Sequence, residues 1–197
     1  MRNTEVTTGI VRLSYVHLKE PYSFMPEDPA KYSATILLPK EATATKAAID
    51  AAIEAAKQYG VSAKWNGKMP PVVNVPIYDG DGVRPNGESF GPECSGCWVF
   101  TASANEDHRP QIVDLKLQPI VDPMEIYSGM YARVNVNFFA YAYSGKRGIG
   151  CGLGPVQKVK DGEPLGGGFT SAADAFGGVN ALKTEVDPIT GEINISF

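Results

Sequence analysis

The chain has 197 residues, 43% of them hydrophobic, and a formal net charge of -4, so it is long enough to bury one substantial core. No run approaches the ~20 apolar residues of a membrane span, and the opening MRNTEVTTGIVRLSY lacks the apolar stretch of a secretion signal, which predicts a cytosolic protein. Three cysteines, Cys94, Cys97 and Cys151, are an odd number and argue against a disulfide-stapled secreted fold.

The elements follow in chain order. Val6 to Leu18 is rich in β-branched residues and reads as a strand, with Gly9 placed for a bulge or bend. The prolines of KEPYSFMPEDPA predict a loop over 19–30, and Lys31 to Leu38 is the second strand. In ATATKAAIDAAIEAAKQYG a threonine can cap a helix, and Ile49, Ala52, Ile53, Ala56 and Tyr59 form one apolar stripe. Gly60 reads as its stop. From Val61 to Cys97 prolines and glycines punctuate a long irregular excursion, with one short strand expected at Val72 to Tyr78. Long loops in compact domains often carry function, and this one holds Lys64, Trp65, Lys68 and Arg84.

Two motifs inside that excursion invite metal readings. Asp79-Gly80-Asp81-Gly82 lacks the later Asp or Asn and the Glu of an EF-hand loop, since Val83 and Phe90 stand there, and it reads as a turn. Cys94-Ser95-Gly96-Cys97 has the gap of a zinc pair or redox dithiol, but no second pair exists, so it reads as a turn entering the strand at Trp98. No metal and no cofactor is expected. Nor is any catalytic residue: Asp107-His108 has no partnered nucleophile, and no phosphate-cradling glycine loop appears.

Further strands are expected at Trp98 to Ser103, Gln111 to Ile120, Met130 to Tyr143 and Ile149 to Val159, the last two joined by the basic turn Ser144-Gly145-Lys146-Arg147-Gly148. The strand MYARVNVNFFAYAY alternates. Ala132, Val134, Val136, Phe138, Ala140 and Ala142 share one side, and Tyr131, Arg133, Asn135, Asn137, Phe139, Tyr141 and Tyr143 the other. The even side suits a core. The odd side mixes rings with a guanidinium and amides, as sequence-tolerant single-strand binders do; the alternative is that both sides are buried, because aromatics favour strands for packing alone. One helix among five or more strands predicts a mainly β fold, a small, strongly bent barrel with one interposed α-helix and long loops, rather than a sandwich or a βαβ fold.

Residues 161–197 hold Asp161, Glu163, Asp174, Glu185, Asp187 and Glu192 against Lys183 alone, a net -5 that leaves +1 on residues 1–160. The near-neutral body can carry a basic groove, and the acidic segment can act as an interaction tail or as a competitor for that groove. The Gly166-Gly167-Gly168 run marks the boundary, giving a nucleic-acid-binding domain over 1–168 and a mildly acidic tail over 169–197.

Taken together, Val11-Arg12-Leu13-Ser14-Tyr15, the run Lys31 to Lys40, Asp79-Gly80-Asp81, Arg109-Pro110, Tyr127-Ser128-Gly129-Met130-Tyr131, Gly148-Ile149 and the run Val156 to Gly166 resemble bacteriophage single-stranded-DNA-binding proteins with an OB-fold. The resemblance spans roughly residues 5–170 and implies that the barrel is a small Greek-key barrel of the OB type, and that the chain binds single-stranded DNA independently of sequence during phage replication or recombination, without cofactor or catalysis. In this reading Lys64, Lys68, Arg84, Arg109, Lys146 and Arg147 track phosphates, and bases stack on some of Tyr15, Trp65, Trp98, Tyr131, Tyr141 and Tyr143. Trp98 is the ring expected in the core; Arg133 is a further candidate DNA contact, and its side, like that of Arg12 and Lys116 in their expected strands, is set by register. Tails of such proteins end in Phe and dock on replication or recombination enzymes, which makes Phe197 a candidate partner contact. Thr184 to Ile195 reads equally as a hairpin around Asp187-Pro188-Ile189-Thr190-Gly191. The competing class is a structural or assembly protein whose aromatic face mates with another subunit, and homo-oligomerisation stays open in both.

Overall fold

The structure, a computed structural model, describes residues 3–23 and 25–166 in full and, for the backbone, Lys183–Val186 and Ile193–Ser196. The chain splits into two compact units, Met1–Leu165 and Gly166–Phe197, and each is described by itself.

The first expected strand is two, β1 (Glu5–Thr7) and β2 (Val11–Tyr22), separated by a bend at Gly9. Both lie antiparallel on one long strand, β7 (Tyr131–Tyr143), with Val6 opposite Val136 and Val11 opposite Ala132. Pro21 does not end β2. Proline fixes φ and removes a donor, which an interrupted ladder tolerates; the pairing skips from His17–Ser33 to Tyr22–Lys31, so the expected loop shrinks to 23–30.

β3 (Lys31–Pro39), β4 (Ile77–Asp79), β5 (Cys97–Asn105), β6 (Ile112–Val113) and β8 (Lys146–Lys160) complete the sheet. The strand order is β1-β7-β2-β3-β5-β8-β6, and a further β7–β8 pairing closes β2, β3, β5, β8 and β7 into a ring. Every neighbour in that ring is antiparallel except β5 with β8, which meet in parallel where Ser103 faces Gly152. This is the five-stranded barrel of the OB type that the sequence predicts, with the helix placed between the second and third barrel strands. The expected strand at Gln111 to Ile120 is mostly a turn: Asp114 Oδ1 accepts the N–H groups of Lys116 and Gln118 at 2.8 Å each, and Leu117 takes φ 62. A local Asx turn overrides strand propensity there, and Lys116 is exposed on the turn rather than held in a strand.

Helix α1 (Thr43–Ala63) runs past the expected stop. Its buried positions are Ile49, Ala52, Ile53, Ala56 and Gly60, so the stripe ends on Gly60, and Tyr59 is 53% exposed. Gly60 serves close packing: a Cβ there would sit 2.6 Å from Ala140 Cβ and 2.9 Å from the Trp65 ring. Thr43 is the first helical residue and Ala42 precedes it without a side-chain cap, so the expected threonine cap is not made. The chain leaves the helix through left-handed Asn66 and Gly67, whose N–H returns to the Val61 carbonyl at 2.8 Å.

The even side of β7 is core as expected from Ala132 through Ala140, packed with Leu13, Ile36, Phe100 and Val156; Ala142 lies beyond it and is exposed. In the second unit β9 (Lys183–Val186) and β10 (Ile193–Ser196) pair antiparallel with Thr184 opposite Ile195, the two arms of the hairpin read from the sequence. The joining residues 187–192 and Phe197 lie outside the described residues.

Candidate nucleic-acid interface

Register fixes what the outer face of β2, β3 and β5 presents. The cross-strand pairs Thr35–Thr101 and Ser33–Ser103 point outward, with Ser14 and His17 of β2 opposite Thr35 and Ser33. The floor is therefore small and hydroxylated, and Thr35 and Thr101 share a hydrogen bond at 3.0 Å. A groove of about 560 Å³ lies over this floor. Tyr15 forms one wall: β2 bulges there, the residue takes φ 46, and its side chain is left 62% exposed. A left-handed tyrosine is costly, and such strain concentrates at functional positions.

The opposite wall comes from the proline-rich excursion. Tyr78 and Phe90 pack with ring centroids 6.4 Å apart, and the Arg84 guanidinium lies 5.3 Å from the Phe90 centroid. Two devices hold this wall to the barrel. β4 pairs with β5, placing Tyr78 opposite Val99. Lys40, just past β3, bridges Asp79 at 2.6 Å and Asp81 at 2.7 Å, while Asp81 Oδ1 also accepts from Ser95 Oγ and the Gly96 N–H at 2.9 Å each. Lys40, then the Gly96 N–H and Ser95, hold the Asp81 carboxyl down at about 2. The Asp-Gly-Asp-Gly segment is thus a turn closed by a lysine. Beyond Ser33 the outer face continues to His17, whose ring stacks on Tyr22 at 4.5 Å and 12°.

The residues singled out in the sequence meet different fates. Trp65 has no ring face to offer: it is 1% exposed, packed into the core beneath Gly60, and its Nε1 donates to the Tyr141 carbonyl at 3.1 Å. The extra helical turn carries it inward, while Lys64 and Lys68 on either side stay exposed. Trp98 is half-buried against the core, with the Lys46 and Lys40 ammoniums 4.5 and 5.4 Å from its centroid. Arg84 and Tyr15 line the groove; Arg109 is exposed and lines a different depression of about 720 Å³ between β2 and the 119–126 segment. Tyr131 is half-buried between Lys160 and Arg12, at 4.6 and 5.9 Å, at the far end of β7. Arg133 is exposed and turns its Nε toward the Thr8 carbonyl at 3.4 Å. Tyr141 is half-buried, Tyr143 is 79% exposed, and Lys146 and Arg147 are exposed beside the two-residue turn Ser144-Gly145, whose φ values of 47 and 75 suit a tight hairpin.

Sequence reasoning missed Tyr78 and Phe90; the only signal was that they lie in the long excursion. The cysteines are free thiols. Cys94 is buried with Leu37 and Val99 and burial pushes it up to about 11, while burial alone pushes Cys151 up to about 12. Among the described residues no group of three or more His, Cys, Asp and Glu gathers to hold a metal ion, and no helix is long and apolar enough to cross a membrane.

A five-stranded Greek-key ring with an aromatic groove over its second and third strands, lined by one cation, Arg84, and one carboxylate, Glu93, defines an OB-type barrel. More particularly, the chain belongs to the family described as Enterobacter phage Enc34, ssDNA-binding protein, whose model matches residues 4–187. It is similar to the single-stranded DNA-binding protein of bacteriophage Enc34, solved in complex with ssDNA, at 31% identity and TM-score 0.70 over 84% of this chain and 91% of that one. "Putative protein p50" of Acyrthosiphon pisum secondary endosymbiont phage 1 is 27% identical over 89% of this chain and 94% of its own length. The bacteriophage T7 single-stranded DNA-binding protein gp2.5, at 15% identity and TM-score 0.59 over 86% of this chain and 93% of that one, shares the fold.

Proposed function

We propose that this chain binds single-stranded DNA without sequence preference in phage DNA replication and recombination, in the cytoplasm of the infected bacterial host, with neither cofactor nor catalysis. The observation that carries the reading is the groove of Tyr15, Tyr78, Phe90 and Arg84, on the face with which OB barrels bind oligonucleotides, in a member of this family. Bases have π-faces whatever their identity, so ring walls give affinity without a code. The hydroxyl floor offers donors and acceptors to sugars and phosphates, and Arg84 supplies charge at the rim. Lys146, Arg147 and Tyr143 extend the surface from the β7–β8 hairpin tip. Binding is assigned to residues 1–168; the 169–197 tail, ending in Phe197, is assigned contacts with replication or recombination proteins.

The test is fluorescence anisotropy of a labelled oligo-dT of about 30 nucleotides at 50 and 200 mM salt, beside a duplex of equal length. The expected result is binding that prefers the single strand and weakens with salt, each neutralised phosphate adding about -0.7 to the log–log slope. No binding at 50 mM salt, with the full chain and with residues 169–197 removed, overturns the reading and leaves the aromatic face to a protein partner.

A further inference from the structure

Two of the motifs that carry the resemblance, Tyr127-Ser128-Gly129-Met130-Tyr131 and the end of the run Val156 to Gly166, do not line the groove, and they meet each other. Residues 161–165 form neither strand nor helix, yet they are tied down almost throughout. Lys158 holds the Asp161 carboxylate at 2.8 Å, and Tyr127 Oη accepts the Gly162 N–H at 3.1 Å. Arg12 Nη2 donates to the Glu163 carbonyl at 2.7 Å, and the Leu165 N–H donates to the Ser128 carbonyl at 2.7 Å. Gly129 and Gly162 allow the two backbones to touch: a Cβ on Gly129 would collide with the Glu163 carbonyl, and one on Gly162 with the Gly129 carbonyl. The chain beyond the last barrel strand is thus strapped across the barrel.

Register shows which face the strap crosses. Residues directly opposite in an antiparallel pair share a face. Arg12 stands opposite Leu37 and Leu37 opposite Val99, so these three form the row next to Ser14, Thr35 and Thr101 of the groove floor. Here the outer face is covered. Arg12 is turned onto two carbonyls, those of Glu163 and, through Nε at 3.3 Å, Gly129. Leu37 and Val99 are buried with Cys94, and Phe90, Cys97 and Leu165 pack on that cluster. Val99, Cys94 and Phe90 also line the groove, and Leu165 does not, so the strap backs the aromatic wall from outside the ligand site. The Lys40 clamp holds that wall at Asp79 and Asp81; Leu165 packs behind its other end.

We infer that residues 161–165 are a positioning strap for the single-strand site: Arg12 anchors the strap rather than meeting a phosphate, and Leu165 seats the Phe90–Cys94 end of the wall over the floor. The ligand rests on the function proposed above, whereas the strap's hold on the wall does not. Arg12 suits the task because its guanidinium is a rigid fork that serves two acceptors at once, which a lysine ammonium does not reproduce.

Full-length L165A, L165M and R12K test the strap. Each is titrated with oligo-dT at the two salt concentrations given above, and the rate of Cys94 alkylation is followed by mass spectrometry, since burial keeps that thiol slow in the wild type. L165A and R12K are expected to bind roughly tenfold more weakly, the equivalent of about one stacked base. Their salt slope stays at the wild-type value and Cys94 labels faster, while L165M, which refills the space behind the wall, restores both affinity and labelling. Should L165A not fold, R12K carries the same two readouts. Wild-type affinity in R12K overturns the anchor, because a retained charge would then be all that Arg12 supplies. Wild-type affinity in L165A overturns the strap, and so does weaker binding with Cys94 labelling unchanged, because Leu165 would then touch the ligand itself. A wild-type protein that binds no oligo-dT overturns the proposed function and the strap's part in it, and in that case the labelling rates still decide whether Leu165 holds the wall.

Discussion

Tyr15 and Trp65, both read from the sequence as stacking rings, are used in opposite ways. Tyr15 has a left-handed backbone and an exposed ring at the groove wall, so it adds strain to the fold and a π-face to the ligand site. Tyr15→Gly is expected to melt no lower than wild type, because glycine relieves a conformation that costs an L-residue about 1–2 kcal/mol. The same variant loses the stacking of one base, about 1–3 kcal/mol, in oligo-dT anisotropy. Trp65→Ala is expected to do the reverse, costing about 3–5 kcal/mol in urea unfolding because it empties a core position that is 1% exposed. If Y15G lowers the melting temperature and leaves DNA affinity intact, Tyr15 is structural and the groove is misassigned. The pair also shows what sequence can convey: the lysines flanking Trp65 are as exposed as they look, but the ring's burial depends on where the helix ends.

At the scale of elements, local punctuation was legible and long-range closure was not. The alternation of β7, the helix stripe from Ile49 to Ala56 and a hairpin turn after Tyr143 are set by neighbours in sequence and are found in the structure, although the turn expected over 144–148 narrows to Ser144-Gly145 because β8 already starts at Lys146. Gly60 was not readable in this way, because its partners, Ala140 and Trp65, come from outside the helix. Gly60→Ala should gain about 1 kcal/mol of helix propensity yet lose more to overpacking, about 1–3 kcal/mol, and so melt below wild type; a variant that melts higher would mean that α1 sits more loosely on β7 than these contacts allow. Tyr78 and Phe90 escaped notice for the same reason, since the wall they form exists only once β4 pairs with β5. The hairpin tip makes a separate, electrostatic prediction. Replacing Lys146 and Arg147 with Ala should flatten the salt dependence of oligo-dT binding by about 0.7 for each phosphate lost, with no change in melting because both side chains are exposed.

For the molecule as a whole, the groove depends on one ionic clamp that joins segments far apart in sequence. Lys40 follows β3, Asp79 and Asp81 sit where the excursion turns, and Ser95 and Gly96 precede β5, so the clamp fastens the aromatic wall to two strands of the barrel floor. Asp81 makes the clamp sensitive to acid. Its carboxyl is held at about 2 in the fold against an ordinary 3.8, with Lys40 the largest cause, so the folded state favours the ionised form. A carboxyl depressed in this sense stabilises the fold fully above about pH 4, and the contribution fades as pH falls from about 4 towards 2. Asp79, lowered in the same direction by Lys40, acts in the same sense. Asp81→Asn keeps a side-chain acceptor for Gly96 but carries no titrating charge, so it is expected to be less stable than wild type at pH 7 and to converge with it near pH 2. Urea midpoints at pH 7, 4, 3 and 2 for the two proteins measure this difference, and a gap that stays constant across those pH values would show that the clamp does not couple the wall to the barrel. If the gap closes as expected, Trp98 fluorescence, with Lys40 5.4 Å from its ring, should change more over the same interval in the wild type than in the variant, where Asp79 alone still holds the lysine that faces that ring.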